Sequence, residues 1–411
     1  MPLIIYPLQP LAGIDATPAT NESFVTELTA RRSRQMEDLW QRVATTLGLD
    51  ASDELERGLA QILPAGGAII IEYDRASEER FWPRLRAQRW IQVFPLLPLR
   101  PPLRPMAALQ ASRGNWHLGK INPPTGLDGT GVVVGVVDTG IDPVKFPELA
   151  GVGNVQWEYS LTTKTLKAVA APVELDTAGQ HGSAVCAMLA GATSGIAKGV
   201  ELVLATVPNQ AVTLHGGTIA RAVDWLLKQT SSGPRLNQAV AGGCDIINIS
   251  RVTTNPGKYD PALYLLLQSA GAYGTLLVAA VGNSGGVDKW QCPAAYDYVL
   301  AVGAVTEQDV VHGSAWGTPN IPPPFAPGIA RPDLVAPGQG LNQPTANASI
   351  TRGGTSFASP LVAGAAALAL QKDASLIGNP TAIKNRLTSL ARAPGGPNPK
   401  WGAGVLDLTN L

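Results

Sequence analysis

An α/β fold follows from three features of this 411-residue sequence. Beyond about residue 112, short runs of valine, isoleucine, leucine and alanine alternate with longer helix-forming segments. That alternation specifies a mainly parallel central sheet covered by helices on both faces. Residues 1–95 carry a different mixture of helices and short strands, a small α+β domain of its own. Between the two, Pro95, Pro98, Pro101, Pro102 and Pro105 make a stiff, extended tether. The expected organisation is an N-terminal α+β domain over 1–95, a linker over 96–112 and the α/β unit over 113–411.

Within the first unit, residues 1 to about 20 read as irregular. Asn21-Glu22-Ser23 can cap a helix running to about Leu47, with Val25, Leu28, Met36, Leu39, Trp40, Val43 and Leu47 at helical spacing. A second, short helix is expected over 53–63. Strands are expected over 68–73 and 90–94, flanking a charged helix over 76–89 that bends near Pro83. In the second unit the apolar runs 132–137, 200–207, 246–249, 276–281 and 299–305 read as buried strands. Helices are expected over 182–190, 218–229, 261–270, 356–371 and 382–390.

Composition excludes several classes of function. Lys+Arg and Asp+Glu both number 31, so no charge imbalance points to nucleic acid or an anionic membrane, and neither is expected as a partner. No uncharged run is long enough to span a bilayer. Met1 to Pro7 is apolar but has no basic leader and is broken by Pro7 and Pro10, so it does not read as a signal peptide. The three cysteines, Cys186, Cys244 and Cys292, cannot all pair and have no metal-site spacing. Buried free thiols suit a reducing compartment, and a cytoplasmic location is expected.

Four segments carry chemistry. In Gly353-Gly354-Thr355-Ser356-Phe357-Ala358-Ser359-Pro360, two glycines allow a sharp turn and the serine then opens an Ala-rich helix. Pro360 falls in the first turn, where a missing N–H is tolerated. Ser356 is thus at a helix N-terminus, which favours developing negative charge. The strand 132–137 runs into Asp138-Thr139-Gly140, at the strand end where open α/β sheets hold their sites. His181, one of four histidines, precedes an apolar helix. The buried run 277–281 leads into Gly282-Asn283-Ser284-Gly285. Taken singly these are a capping serine, a turn aspartate, a capping histidine and a turn asparagine. Together they are the set that acyl transfer needs. Ser356 attacks, His181 takes and returns the proton, and Asp138 fixes the imidazole tautomer. The Ser356 N–H and the Asn283 amide hold the oxyanion.

On these segments the chain from about Trp116 to Leu411 resembles the subtilisin-like serine peptidases, the subtilases. Val136-Val137-Asp138-Thr139-Gly140-Ile141-Asp142 resembles the family's aspartate motif, His181-Gly182-Ser183 its histidine motif, and the segment from Gly353 to Pro360 its serine motif. Gly195-Ile196-Ala197-Lys198-Gly199-Val200-Glu201-Leu202, Pro293-Ala294-Ala295-Tyr296 and Val335-Ala336-Pro337-Gly338 are similar to secondary family segments. The order Asp, His, Ser is that of subtilisin. The resemblance implies the subtilisin-like three-layer fold and serine endopeptidase activity on a protein or peptide substrate. Two departures stand out. Ala184 occupies the place of a second histidine that is usual in the family. The segment Ala190-Gly191-Ala192-Thr193-Ser194-Gly195 passes straight to the next strand, without the usual calcium-binding loop. No cofactor is expected to be required and no metal ligand is assigned, although oxygen ligands from other loops would leave room for calcium.

The resemblance also implies a substrate lying as an added strand between two backbone edges. One edge would be Ser250-Arg251-Val252, the other would fall near Thr213-Leu214-His215, and Gly282 would line the opposite pocket wall. Arg251, where the family usually has leucine, reads either as a substrate contact or as a solvated rim charge. Residues 1–95 stand where subtilases carry a prodomain, so the chain's own N-terminal unit is expected as a partner in cis. Two other readings of the whole are a catalytically silent subtilase fold that only binds, and a maturation peptidase dedicated to one peptide.

Overall fold

A computed structural model describes residues 3–7, 22–57, 59–72, 75–95, 114–152, 154–159, 166–169, 171–208, 216–229, 236, 243–253, 255–311, 313–321, 328–394, 396 and 398–411. The expected linker over 96–112 and the expected irregular stretch from residue 8 to 20 lie outside the described residues.

The N-terminal unit runs β1 (Leu3–Pro7), α1 (Glu22–Leu47), α2 (Ala51–Glu56), β2 (Ala60–Leu63), β3 (Ala68–Ile71), α3 (Arg75–Arg86) and β4 (Ile91–Pro95). Its four strands form an antiparallel sheet in the order β2-β3-β1-β4. Two elements differ from expectation. Leu3 to Pro7 is a strand rather than irregular chain, and the helix expected over 53–63 ends at Glu56, giving way to β2. Asp50 caps that short helix, accepting from the N–H groups of Ser52 and Asp53 at 3.0 Å each. Alternation explains both strands. Leu3, Ile5, Ile69 and Ile71 face α1 and α3, where Met36, Trp40, Phe81 and Leu85 bury them. Ile4, Tyr6, Leu63 and Ile70 face the other way, into a core shared with the second unit.

That second unit begins with α4 (Trp116–Ile121) and β5 (Val133–Asp138), then β6 (Asn154–Tyr159), β7 (Leu166–Ala168), α5 (His181–Ala190), β8 (Glu201–Thr206) and α6 (Gly216–Leu226). It continues with β9 (Ile246–Ile249), α7 (Pro261–Gln268), β10 (Leu276–Ala280), β11 (Leu300–Val305), β12 (Leu334–Pro337) and the hairpin β13 (Gln339–Pro344) and β14 (Ser349–Gly353). It closes with α8 (Thr355–Lys372) and α9 (Pro380–Leu390). Eight strands form the central sheet in the order β12-β11-β10-β9-β5-β8-β6-β7, parallel throughout except for β7. Helices α5, α8 and α9 cover one face. Helices α6 and α7 cover the other. Burial on both sides is why the strands read as continuous apolar runs.

The chain leaves β5 toward β8 on one side and returns to β9 on the other. This reversal makes the carboxyl end of β5 a switch point, where the sheet opens a crevice. The N-terminal unit docks on α6 and α7, away from α8. Tyr6 Oη donates to the Ala262 carbonyl at 2.6 Å, and Gly66 N–H donates to Asp224 Oδ1 at 2.8 Å. Arg221 Nη2 lies 2.6 Å from Glu72 Oε1. Arg32 donates to the Ala65 carbonyl at 3.0 Å and stands over the Tyr273 ring.

Candidate active site

Asp138 is the last residue of β5 and lies at the switch point. His181 is the first residue of α5. Close backbone packing brings them together. A Cβ at Gly182 would come within 2.3 Å of the Gly140 carbonyl oxygen, so only glycine lets α5 start against the turn after β5. Gly182 N–H donates to Thr139 Oγ1 at 2.8 Å. His181 Nδ1 then meets Asp138 Oδ1 at 2.8 Å, with Asp138 2% and His181 4% exposed. Thr139 N–H donates to the same carboxylate oxygen at 2.8 Å. Burial by itself would raise the Asp138 pKa. The neighbouring His181, the Arg251 charge and the Thr139 N–H outweigh it and hold the carboxyl below its usual value. Asp138 therefore stays ionised opposite the imidazole.

The far nitrogen of His181, Nε2, is buried without a hydrogen-bond partner among the described residues. The ring packs on Phe357, centroids 5.5 Å apart, so it stands beside the start of α8. Ser356 is the second residue of that helix and is 6% exposed. Its Oγ donates to the Ser250 carbonyl at 3.4 Å. First-turn N–H groups of a helix lack intrahelical partners. Asn283 follows β10 and approaches the same turn. Its Oδ1 accepts from Thr355 N–H and Thr355 Oγ1, both at 2.8 Å, which leaves Nδ2 as the donor. Gly354 has φ +140°, and a Cβ there would come within 2.7 Å of Asn283 Nδ2. The glycine before Thr355 is thus required by both conformation and space.

The expected groove residues divide. Ser250 and Val252 are buried beyond the end of β9. Gly282, at φ +106°, donates its N–H to Thr355 Oγ1 at 3.3 Å. Leu214 and His215 lie outside the described residues. Arg251 is not a rim charge: it is 1% exposed, and its Nη2 donates to the Pro208 carbonyl at 3.1 Å. Its Nε and Nη1 have no hydrogen-bond partner among the described residues, and burial lowers its pKa against the pull of Asp138, Asp176 and Glu174.

Several supporting residues carried no assignment from sequence. Glu174 accepts from Ser183 N–H and Ser183 Oγ at 2.8 Å each and so caps α5, while burial raises its carboxyl pKa against those bonds. Arg352 of β14 donates to the Gly179 carbonyl at 2.9 Å and to Gln343 Oε1 at 3.2 Å. Gln343 Nε2 in turn donates to the Ala184 carbonyl at 2.7 Å, bracing α5 behind His181. Thr139 and Thr355 sit inside the quoted motifs. Their side chains were legible as small hydroxyls beside Asp138 and Ser356, but not which backbone they would hold.

The 191–195 segment is tied down by side chains. Glu148 Oε2 accepts from Ser194 N–H at 2.9 Å and Ser194 Oγ at 2.7 Å. Asn115 Nδ2 donates to the Thr193 carbonyl and His117 Nε2 to the Ser194 carbonyl, both at 2.8 Å. Among the described residues no three His, Cys, Asp or Glu side chains converge to hold a metal ion. No described helix is long and apolar enough to cross a membrane. Cys186, Cys244 and Cys292 are buried free thiols.

A buried carboxylate–imidazole pair thus lies at the switch point of a parallel sheet, and its imidazole packs on the residue that follows Ser356 at the start of a buried helix. Residues 129–404 match the subtilase family, peptidase S8, and the chain belongs to it as a subtilisin-like serine endopeptidase. It is 30% identical over 302 residues to subtilisin Savinase of Lederbergia lenta, covering 71% of this chain and 96% of that protein. A cold-adapted subtilisin-like serine proteinase of known structure aligns at TM-score 0.54 and 25% identity, over 72% of this chain and 98% of its own. The prenylagaramide maturation protease PagA aligns at TM-score 0.51 and 25% identity, over 72% of this chain and 96% of its own.

Proposed function

We propose that the protein hydrolyses peptide bonds through Asp138, His181 and Ser356 by way of an acyl-enzyme. The observation that carries the reading is His181. Nδ1 is engaged by Asp138 at 2.8 Å, while Nε2, beside α8, has no hydrogen-bond partner among the described residues. On substrate binding the Ser356 hydroxyl turns from the Ser250 carbonyl toward Nε2; hydrogen bonds in resting enzymes are often looser than in the complex. Oγ attacks the scissile carbonyl carbon as its proton passes to Nε2. The oxyanion is held by Ser356 N–H and Asn283 Nδ2. The tetrahedral adduct collapses, Nε2 returns the proton to the leaving amine, and water repeats the sequence on the ester.

The substrate is a protein or peptide, added as a strand along 250–252, with Gly282 on the pocket wall. No cofactor takes part in this chemistry. The N-terminal unit holds the groove in cis: its docking on α6 and α7, and the proline-rich run after Pro95, support an inhibitory role. Three free buried thiols support work inside the cell. A dedicated maturation peptidase is the second reading, favoured by the likeness to PagA. Cleavage of a peptide library tests these readings. Wild-type protein should cut and Ser356→Ala should not. Many cleaved sequences favour general processing, and one narrow sequence favours maturation. A wild type that binds peptides without cutting any would leave only the silent binding fold.

A further inference from the structure

The start of α8 contains a carbonyl that its own helix cannot satisfy. In an α-helix the carbonyl of residue i accepts from the N–H of residue i+4. For Ser356 that residue is Pro360, which has no N–H; it is the sixth residue of α8 and so lies past the first turn expected for it, where the missing donor is felt. A buried carbonyl left without a donor costs free energy. Ser250 supplies the donor, its Oγ–H reaching the Ser356 carbonyl at 2.9 Å. Behind it, Asn248 Nδ2 donates to Ser250 Oγ at 3.0 Å, and Ser359 Oγ donates to Asn248 Oδ1. This chain has one direction. The Asn248 amide gives its proton to Ser250 Oγ, so the single Ser250 proton goes to the Ser356 carbonyl. All of it is buried, and Ser359 belongs to the same helix turn as Ser356. On its other side Ser250 accepts the Ser356 hydroxyl through its own carbonyl.

We propose that Ser250, oriented by Asn248 and Ser359, is a positioning residue that fixes the nucleophile by making the hydrogen bond Pro360 withholds. The proposal rests on the reading of Ser356 as nucleophile. An N–H at residue 360 would tie Ser356 to its own helix. Proline hands the carbonyl to the end of β9 instead, so the serine is registered against the sheet that also carries Asp138. Without the Ser250 hydroxyl the carbonyl finds a donor only by moving residue 356. Such a shift is small for the fold and large for the attack geometry.

The test measures how fast a fluorophosphonate labels Ser356 in the full-length protein, with kcat and KM on a cleaved peptide. Ser250→Ala should label about tenfold more slowly or worse and lose kcat in proportion with KM held. Adding Pro360→Ala restores a donor inside the helix. The double variant should therefore label as fast as Pro360→Ala alone, a rescue that a purely structural role for Ser250 would not give. A double variant that stays about tenfold below Pro360→Ala overturns the proposal, and so does Ser250→Ala labelling at the wild-type rate. If Ser250→Ala fails to fold, the two proteins carrying Pro360→Ala give the same comparison. Failure of the wild type to label at Ser356 overturns the nucleophile reading and this proposal together. Normal wild-type labelling without coupling to Ser250 overturns this proposal alone.

Discussion

Replacing Asn283 separates the chemistry of the oxyanion site from its scaffold. The side chain has two tasks on two atoms. Oδ1 anchors Thr355 through two bonds of 2.8 Å, and in the proposed mechanism Nδ2 is the donor to the oxyanion. Asn283→Ala removes both. Loss of one donor aimed at the developing charge lowers kcat roughly 10²- to 10³-fold, about 2.7–4 kcal/mol, with KM little changed. Loss of the two Thr355 bonds at a half-buried position costs about 1 kcal/mol each. For a unit of this size that lowers Tm by roughly 2–4 °C. Asn283→Asp keeps the acceptor and replaces the donor by an oxygen. It should hold Tm nearer the wild type while losing at least as much kcat. Steady-state kinetics and thermal unfolding of the three proteins read both effects. An Ala variant with raised KM and intact kcat would make Asn283 a ground-state contact and refute the reasoning.

Three further outcomes are expected. Glu148→Ala strips Ser194 of its carboxylate partner and should cost roughly 2–4 kcal/mol, whereas chelator should leave wild-type Tm and rate unchanged; a loss restored by calcium alone would contradict this. Burial holds the His117 pKa below its usual 6.5 despite the Ser194 carbonyl. Its stabilising share is whole above about pH 6.5 and is lost as pH falls toward and through the lower folded value, so His117→Gln should flatten the acid side of the Tm profile; parallel profiles would count against it. Asp224→Ala removes the acceptor of Gly66 N–H and should raise peptidase activity of the full chain by loosening the N-terminal unit; unchanged activity would argue for a recognition role instead.

Much of this was readable in the sequence because the central strands are buried on both faces. Runs such as Val133 to Val137 and Leu276 to Ala280 have no polar side to confuse the pattern. β1 was not, because five residues ending in Pro7 give no period, and its partners are Ile69 to Ile71 and 91–95. β2 follows a helix signal so closely that the two merge. The hairpin of β13 and β14 buries Gln343 and Arg352, whose partners Ala184 and Gly179 are 159 and 173 residues away. No local pattern announces such pairs. Arg251 is similar, since only the Pro208 carbonyl and the carboxylates around it explain a buried charge after β9. The role of Ser250 did leave a trace. A proline four residues after Ser356 requires some outside donor, though not which one.

The central claim is that Ser356 is a nucleophile activated by His181. Treatment of the full-length protein with a fluorophosphonate, read by intact mass and peptide mapping, tests it most directly. Wild type should gain a single adduct on the peptide that carries Ser356, while Ser356→Ala and His181→Ala should gain none on the same timescale. An adduct that persists in Ser356→Ala, or labelling of His181→Ala at the wild-type rate, would contradict the account.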